Sequence, residues 1–291
     1  MNDAVRQMLV RQHPSNPADY VRALREVLQT LALLGLWRSK FYEHAAFYGG
    51  TALRILHGLD RFSEDLDFSL LQPSPQFALS HYMTALETEL RAFGFDVRAH
   101  EKAHGAHPQG SAIHSAFLKA NTLRELVSVN APSAVTRMIH RDQLLKIKVE
   151  VDTDPPPVFE TDVRYVLSPI PFAVRVYALP DLLAGKMHAV LCRQWKNRVK
   201  GRDWYDLVWF AGQHPEMHLA HLEARMVQSG HWPRERALTA VDWRSLMDTA
   251  IARLNIAQAK ADVAPFVSDP DALALWSPEF FLDVTRRIVV V

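Results

Sequence analysis

Apolar residues recur at helical spacing between positions 20 and 37, at Val21, Leu24, Val27, Leu28, Leu31 and Leu34, which predicts an opening helix. A short apolar run at 45–48 ends in Gly49-Gly50 and reads as a buried strand, and a short helix from 51 to 57 is stopped by Gly58. From 62 to 70 the pattern changes to period two, with Leu66, Phe68 and Leu70 on one face and Asp65, Asp67 and Ser69 on the other. An amphipathic helix is expected over 76–93, then an extended piece at 95–97 and a loop-rich stretch to about 122. Strict alternation returns at 143–152, where Leu145, Ile147, Val149 and Val151 oppose Lys146, Lys148, Glu150 and Asp152, and Pro155-Pro156-Pro157 closes the strand. After a last extended piece at 172–177 the patterns are almost all helical: 181–193, 203–211, 219–227, 243–257 and a segment near Phe280. Strands crowd the first part and helices the second, so the expectation is an α/β (α+β) core over 1–178 and a helical C-terminal domain over 179–291.

Composition narrows the function classes. The chain has 291 residues, long enough for one large domain or two ordinary ones, and its formal net charge of +1 gives no global field to attract nucleic acid. Any RNA contact must therefore come from a local basic patch. Cys192 is the only cysteine, which excludes an intrachain disulfide and a cysteine-rich zinc site. No apolar run reaches membrane-spanning length, and the start Met1-Asn2-Asp3 lacks the basic-then-apolar pattern of a signal peptide. The expected location is the cytoplasm, with no membrane contact.

The candidate chemistry begins at Gly49-Gly50-Thr51, a glycine pair between a strand and a helix N-terminus. Glycines let a ligand approach the backbone, and the free N–H groups of a first helical turn favour phosphate. A plain tight turn would look the same. The following strand changes the weight of that motif. Asp65 and Asp67, two apart on a strand, leave the same face, and two adjacent carboxylates repel unless a cation lies between them. Paired hard oxygen ligands suit Mg²⁺, whose shell is completed by water and substrate phosphate. A third acid on the polar face of the 143–152 strand would complete a two-metal site. Both Glu150 and Asp152 qualify, and Glu150 is favoured because it lies further inside the strand. Ser63, two before Asp65, joins the same face if the strand begins there, within reach of phosphate or a metal-bound water. Arg54 is either a phosphate contact or one half of a structural ion pair.

The blocks Tyr48-Gly49-Gly50-Thr51-Ala52-Leu53-Arg54 and Arg61-Phe62-Ser63-Glu64-Asp65-Leu66-Asp67-Phe68 resemble the AbiEii/AbiGii-type, MenT-like nucleotidyltransferase toxins of the DNA polymerase beta-like superfamily. The resemblance resumes at Lys146-Ile147-Lys148-Val149-Glu150-Val151, at 179–186 and at Lys200-Gly201-Arg202-Asp203-Trp204-Tyr205-Asp206-Leu207. It implies a mixed sheet flanked by helices. It also implies a glycine turn (Gly49, Gly50, Thr51) that binds triphosphate together with Lys186, metal on Asp65 and Asp67, and a site completed by Lys186 and by Asp203 or Asp206. The implied activity moves a nucleoside monophosphate from an NTP to an acceptor hydroxyl, at the 3′ end of tRNA, with two Mg²⁺ or Mn²⁺ ions. The implied setting is phage defence, with an antitoxin as partner. A kinase or protein-nucleotidylating enzyme could use the same metal site, and a non-catalytic nucleotide- or RNA-binding module could share the fold.

Three further signals have a chemistry of their own. Lys186 lies in an otherwise apolar helical pattern, where an ammonium needs an anion or an escape to solvent. Arg193, Lys196, Arg198, Lys200 and Arg202 surround Trp195, which suits either a solvated connection or a nucleic-acid backbone with a stacked base. His100-Glu101-Lys102-Ala103-His104 matches the H-E-x-x-H zinc signature. That signature requires a helix, and Gly105, Pro108 and Gly110 argue against one here.

Overall fold

The computed structural model describes residues 3–101, 112–193 and 199–291. The chain forms two compact units, one of Met1–Leu56, Glu64–Pro155 and Val163–Val176, the other of His57–Ser63, Pro156–Asp162 and Tyr177–Val291.

In the first unit, helices α1 (Asp3–Val10) and α2 (Pro17–Arg38) precede strand β1 (Ala45–Tyr48) and helix α3 (Gly49–His57). Then come β2 (Leu66–Leu70), α4 (Ser80–Ala92), β3 (Arg98–Glu101), β4 (Ile113–Asn121), α5 (Thr122–Ser128), α6 (Ser133–Thr136), β5 (Leu144–Asp152), β6 (Thr161–Val166) and β7 (Phe172–Tyr177). The strands make one seven-stranded mixed sheet in the order β3-β4-β5-β2-β1-β7-β6. Helix α2 starts earlier than the apolar pattern indicates, because the Asn16 side chain caps it at the Asp19 N–H and Pro17 fits its first turn. Every residue from Val27 to Leu36 of α2 is buried, and α2 packs against α4. Apolar side chains of the sheet and of the turn before it complete this core: the Phe68 ring centroid lies 5.0 Å from those of Phe47 and of Phe41, and the fully buried Val149 and Val151 stand opposite Leu66 and Phe68.

The folded chain departs from its periodicity at several places. The strand expected over 62–70 begins only at Leu66, so Ser63 and Asp65 precede it and alternation fixes the side of neither; of the Asp65/Asp67 pair, only Asp67 is placed by the strand. The helix expected over 76–93 spans Ser80–Ala92. The stretch read as loop holds β3 and the nine-residue β4, whose buried positions Ala116, Leu118 and Ala120 alternate but are mostly too small to stand out in a hydrophobic profile. Strand β6 was missed as well; its four central residues are exposed, so it shows no apolar face. His100 and Glu101 lie on β3, not on a helix, and His104 falls outside the described residues.

The second unit holds α7 (Leu179–Cys192), α8 (Gly201–Gln213), α9 (Leu219–Gln228), α10 (Ala240–Ala252), α11 (Ile256–Val263) and α12 (Pro278–Arg286). A two-stranded parallel ribbon of β8 (Glu216–Met217) and β9 (Val289–Val290) accompanies them. Helices α8 and α11 meet at Gly201, where any Cβ would collide with the backbone carbonyl of Ala259. Because the obstacle is backbone, the helices must separate to admit even one methyl group. Gly201→Ala is therefore expected to lose roughly 1–3 kcal/mol or more of stability, read as a lower denaturant midpoint with an unchanged slope. No helix among the described residues is long and apolar enough to cross a membrane.

Candidate active site

In the first unit the site is built where β1 stops. The strand is buried up to Phe47, and the chain then turns into α3 through Gly49, whose φ of +83° is left-handed. Tyr48 pairs with Asp67 across β1 and β2, and Asp67 pairs with Glu150 across the parallel β2–β5 ladder. The glycine turn, Asp67 and Glu150 thus occupy neighbouring positions on three adjacent strands, and strands in a sheet lie about 4.8 Å apart. Asp152, in contrast, stands opposite Ser69, and its Oδ1 accepts the Asp154 N–H at 3.0 Å in the turn that ends β5.

A second constraint couples the turn to the carboxylates. A Cβ at Gly49 would lie 2.6 Å from Oδ2 of Asp67, so the carboxylate occupies the space that a side chain would take. The Thr51 hydroxyl, fully buried, donates to the backbone carbonyl of Asp65. Thr51 therefore holds the segment carrying Asp65 against the start of α3, a bracing role beyond the phosphate contact expected for it. Gly49→Ala combines left-handed strain with displacement of Asp67. We expect nucleotide transfer to fall by at least about tenfold, as when a reacting group shifts by a fraction of an ångström. A near-normal kcat/KM in a folded Gly49→Ala protein would contradict this coupling.

Glu150 is not isolated. Its Oε1 lies 2.6 Å from the Lys148 ammonium and accepts from the Ser115 hydroxyl at 3.2 Å. Lys148, two residues earlier on the same strand face, relieves the repulsion that would build up with Asp67 alongside. Alternation had placed Lys148 on the polar face of β5 without a role; Ser115 went unseen because its strand was read as loop. Arg54 forms an ion pair with Glu26 of α2, Nε to Oε2 2.9 Å, which is the structural alternative of its two readings. Glu64, immediately before Asp65, pairs with Arg25 of α2 at 2.5 Å and anchors that end of the segment.

The acids fit a small hard cation in part. Asp65, Asp67 and Glu150 are carboxylates of the right chemistry, and Asp67 and Glu150 are in register. Among the described residues, however, no group of three or more acidic, histidine or cysteine side chains is already drawn together as a closed metal cage. An open set of this kind matches Mg²⁺, which takes one or two carboxylates and relies on water and phosphate for the rest.

The second unit carries a charged cluster of its own residues. Arg61, 2% exposed, makes a two-pronged contact with the fully buried Asp206: Nε to Oδ1 is 2.6 Å and Nη2 to Oδ2 is 2.7 Å. The Lys186 ammonium on α7 lies 2.7 Å from Asp206 Oδ2 and 3.3 Å from Asp203 Oδ1. Two cations thus meet two carboxylates. Burial alone would push the Asp203 carboxyl up, but Lys186, Lys200 and Arg193 outweigh it and hold the group below the usual carboxylate range. Burial likewise works against the charge on Arg61, and the Asp206 carboxylate overrides it, so the guanidinium is held more firmly charged than usual. Lys186 therefore has its anions within the protein, and the three-residue spacing of Asp203 and Asp206 on α8 brings both acids to it. Arg61 was quoted in the motif block without a role. Its partner lies 145 residues away, beyond any local pattern.

Of the basic patch, Arg193, Lys200 and Arg202 are described, and Trp195, Lys196 and Arg198 lie outside the described residues. The Arg202 guanidinium lies 4.2 Å over the ring of Phe266, a cation–π contact inside the unit.

Comparison with known proteins follows the same lines. The model of the nucleotidyl transferase AbiEii toxin family, of the type IV toxin–antitoxin systems, matches residues 31–284. Among solved structures, JHP933 from Helicobacter pylori is similar at a TM-score of 0.50 and 15% identity, over 91% of each chain, a likeness of fold alone. A proposed nucleotidyltransferase from H. pylori reaches a TM-score of 0.47 at 15% identity, over 90% of this chain and 91% of that one. No protein with a curated description matches the sequence. The motif blocks and the family match agree over most of the chain, which belongs to the AbiEii nucleotidyltransferase toxin family.

Proposed function

We propose that the protein transfers a nucleoside monophosphate from an NTP to a hydroxyl of an RNA acceptor, with Mg²⁺ or Mn²⁺ bound by Asp65, Asp67 and Glu150. The observation that carries this reading is the contact between the Gly49 turn and Asp67, with Glu150 in register beside it. This pairs a phosphate-binding backbone with metal-type oxygen donors. In the reaction the acceptor oxygen bonds to the α-phosphorus while the bond from that phosphorus to the α–β bridging oxygen breaks. Pyrophosphate leaves with that electron pair. The acceptor's proton passes to a carboxylate of the set, and the free N–H groups at the start of α3 hold the triphosphate in line. Divalent metal, when bound, supplies positive charge against the charge developing on the phosphate oxygens. The family supports a toxin role within a toxin–antitoxin system, and the acceptor in this reading is the 3′ end of tRNA. Lys186 acts in this reading by fixing Asp203 and Asp206. The reading is tested by pyrophosphate release from each NTP, with and without total tRNA and with and without chelator. Release that needs both RNA and divalent metal is expected; release indifferent to RNA would point to another acceptor.

A further inference from the structure

A pocket of about 490 Å³ opens within the second unit between the end of α7, the start of α8 and the α10 region. Its walls are of two kinds. Val190, Leu246 and Leu254 are apolar, while Arg193, Lys200 and Arg253 bring positive charge, with Asp203 also in the lining. Asp203 and Asp206 are already matched by Lys186 and Arg61, so these three cations are in excess. Arg193 reaches Asp203 only at 4.0 Å, and among the described residues no acid lies within ion-pair distance of Lys200 or Arg253. The five residues between Arg193 and Val199 include no Asp or Glu. Burial strips the Lys200 ammonium of water and pushes it down to about 8, with Asp203 opposing and Arg193, Lys186 and Arg202 adding to the fall. Several cations held together at some cost, beside an apolar wall, form a receptor for an amphipathic anion.

We propose that this pocket binds a nucleoside phosphate, with the phosphate on Arg193, Lys200 and Arg253 and the base against Val190, Leu246 and Leu254. The volume lies within the range of small-ligand pockets, about 300–1,000 Å³, and has room for one nucleotide unit. The choice of a nucleoside over other aryl phosphates rests on the nucleotide-transfer reading above. Two sources share this chemistry: the terminal residue of an RNA chain and a free mononucleotide. Arg253 had no place in any sequence motif, because it stands just past the end of α10, far along the chain from the recognised blocks.

The test is binding without NTP or divalent metal, so that it is independent of any transfer. The full chain is titrated with a 5′-fluorescent single-stranded RNA heptamer with a free 3′ end by anisotropy, and with UMP and AMP by calorimetry. Arg253→Glu is expected to weaken binding by at least about tenfold, the scale of a lost charge-assisted phosphate contact. Arg253→Ala is expected to lower the salt slope for the heptamer by about 0.7, one phosphate contact fewer. Arg253→Lys should keep part of the affinity. Arg287→Glu, on an exposed end of α12, should change it less than twofold. Equal losses for heptamer and mononucleotide assign the pocket to free nucleotides, and a loss confined to the heptamer assigns it to an RNA end; both support the proposal. Thermal melting guards against misfolding, and Arg253→Ala carries the argument if Arg253→Glu fails to fold. The proposal is overturned if Arg253→Glu binds as wild type, if Arg287→Glu loses as much, or if a Glu/Leu-rich peptide binds while neither RNA nor nucleotide does.

Discussion

Asp67→Asn is expected to reduce nucleotide transfer by about a hundredfold or more while the protein still folds. The substitution removes a charge at nearly constant volume from the carboxylate that fills the space beside Gly49 and stands in register with Glu150. Loss of a metal-binding or transition-state-stabilising charge carries a cost of this size. Asp65→Asn should behave in the same way, whereas Asp152→Asn should cost far less, because Asp152 stands opposite Ser69 and serves its own turn. The contrast is read from kcat/KM in the three variants at equal thermal stability. An Asp152→Asn loss as large as that of Asp67→Asn would mean that register does not select the third acid.

The second large effect concerns stability. Asp206 is fully buried and receives both Arg61 and Lys186. Asp206→Asn leaves the buried Arg61 and the partly buried Lys186 sharing Asp203 alone. Breaking a buried pair by removing one partner typically costs about 3–5 kcal/mol, because the remaining charge has lost both water and counter-ion. Denaturant unfolding should show a loss on that scale. The double variant Arg61→Met/Asp206→Leu should be less destabilised than the sum of its single variants, since it removes the unpaired charge along with the pair. Additive losses would mean that Arg61 and Asp206 do not depend on each other.

What the sequence made legible follows from where each signal resides. Helix α2, the turn after β1 and strand β5 each declare themselves through local periodicity, and all appear close to where that periodicity puts them. Strand β4 hides because alanines occupy two of its buried positions, and β6 because its centre is exposed. The choice between Glu150 and Asp152 cannot be read on one strand. It needs the β2–β5 register, which is a property of two segments about eighty residues apart. Lys186 and Arg61 illustrate the same limit. A lone lysine on an apolar helix signals that some anion must exist, and only the folded unit identifies it as Asp203 and Asp206.

The central claim, that an α-phosphoryl group moves to RNA from the site around Gly49, Asp65, Asp67 and Glu150, is tested most directly with α- and γ-labelled NTPs. Wild-type and Asp67→Asn protein are each incubated with total tRNA and divalent metal, and label is followed in RNA and in protein. The account predicts α-label in RNA, removable with the last nucleotide, no γ-label anywhere, and none of either with Asp67→Asn. Transfer of γ-label, or α-label that enters protein and not RNA, would contradict it.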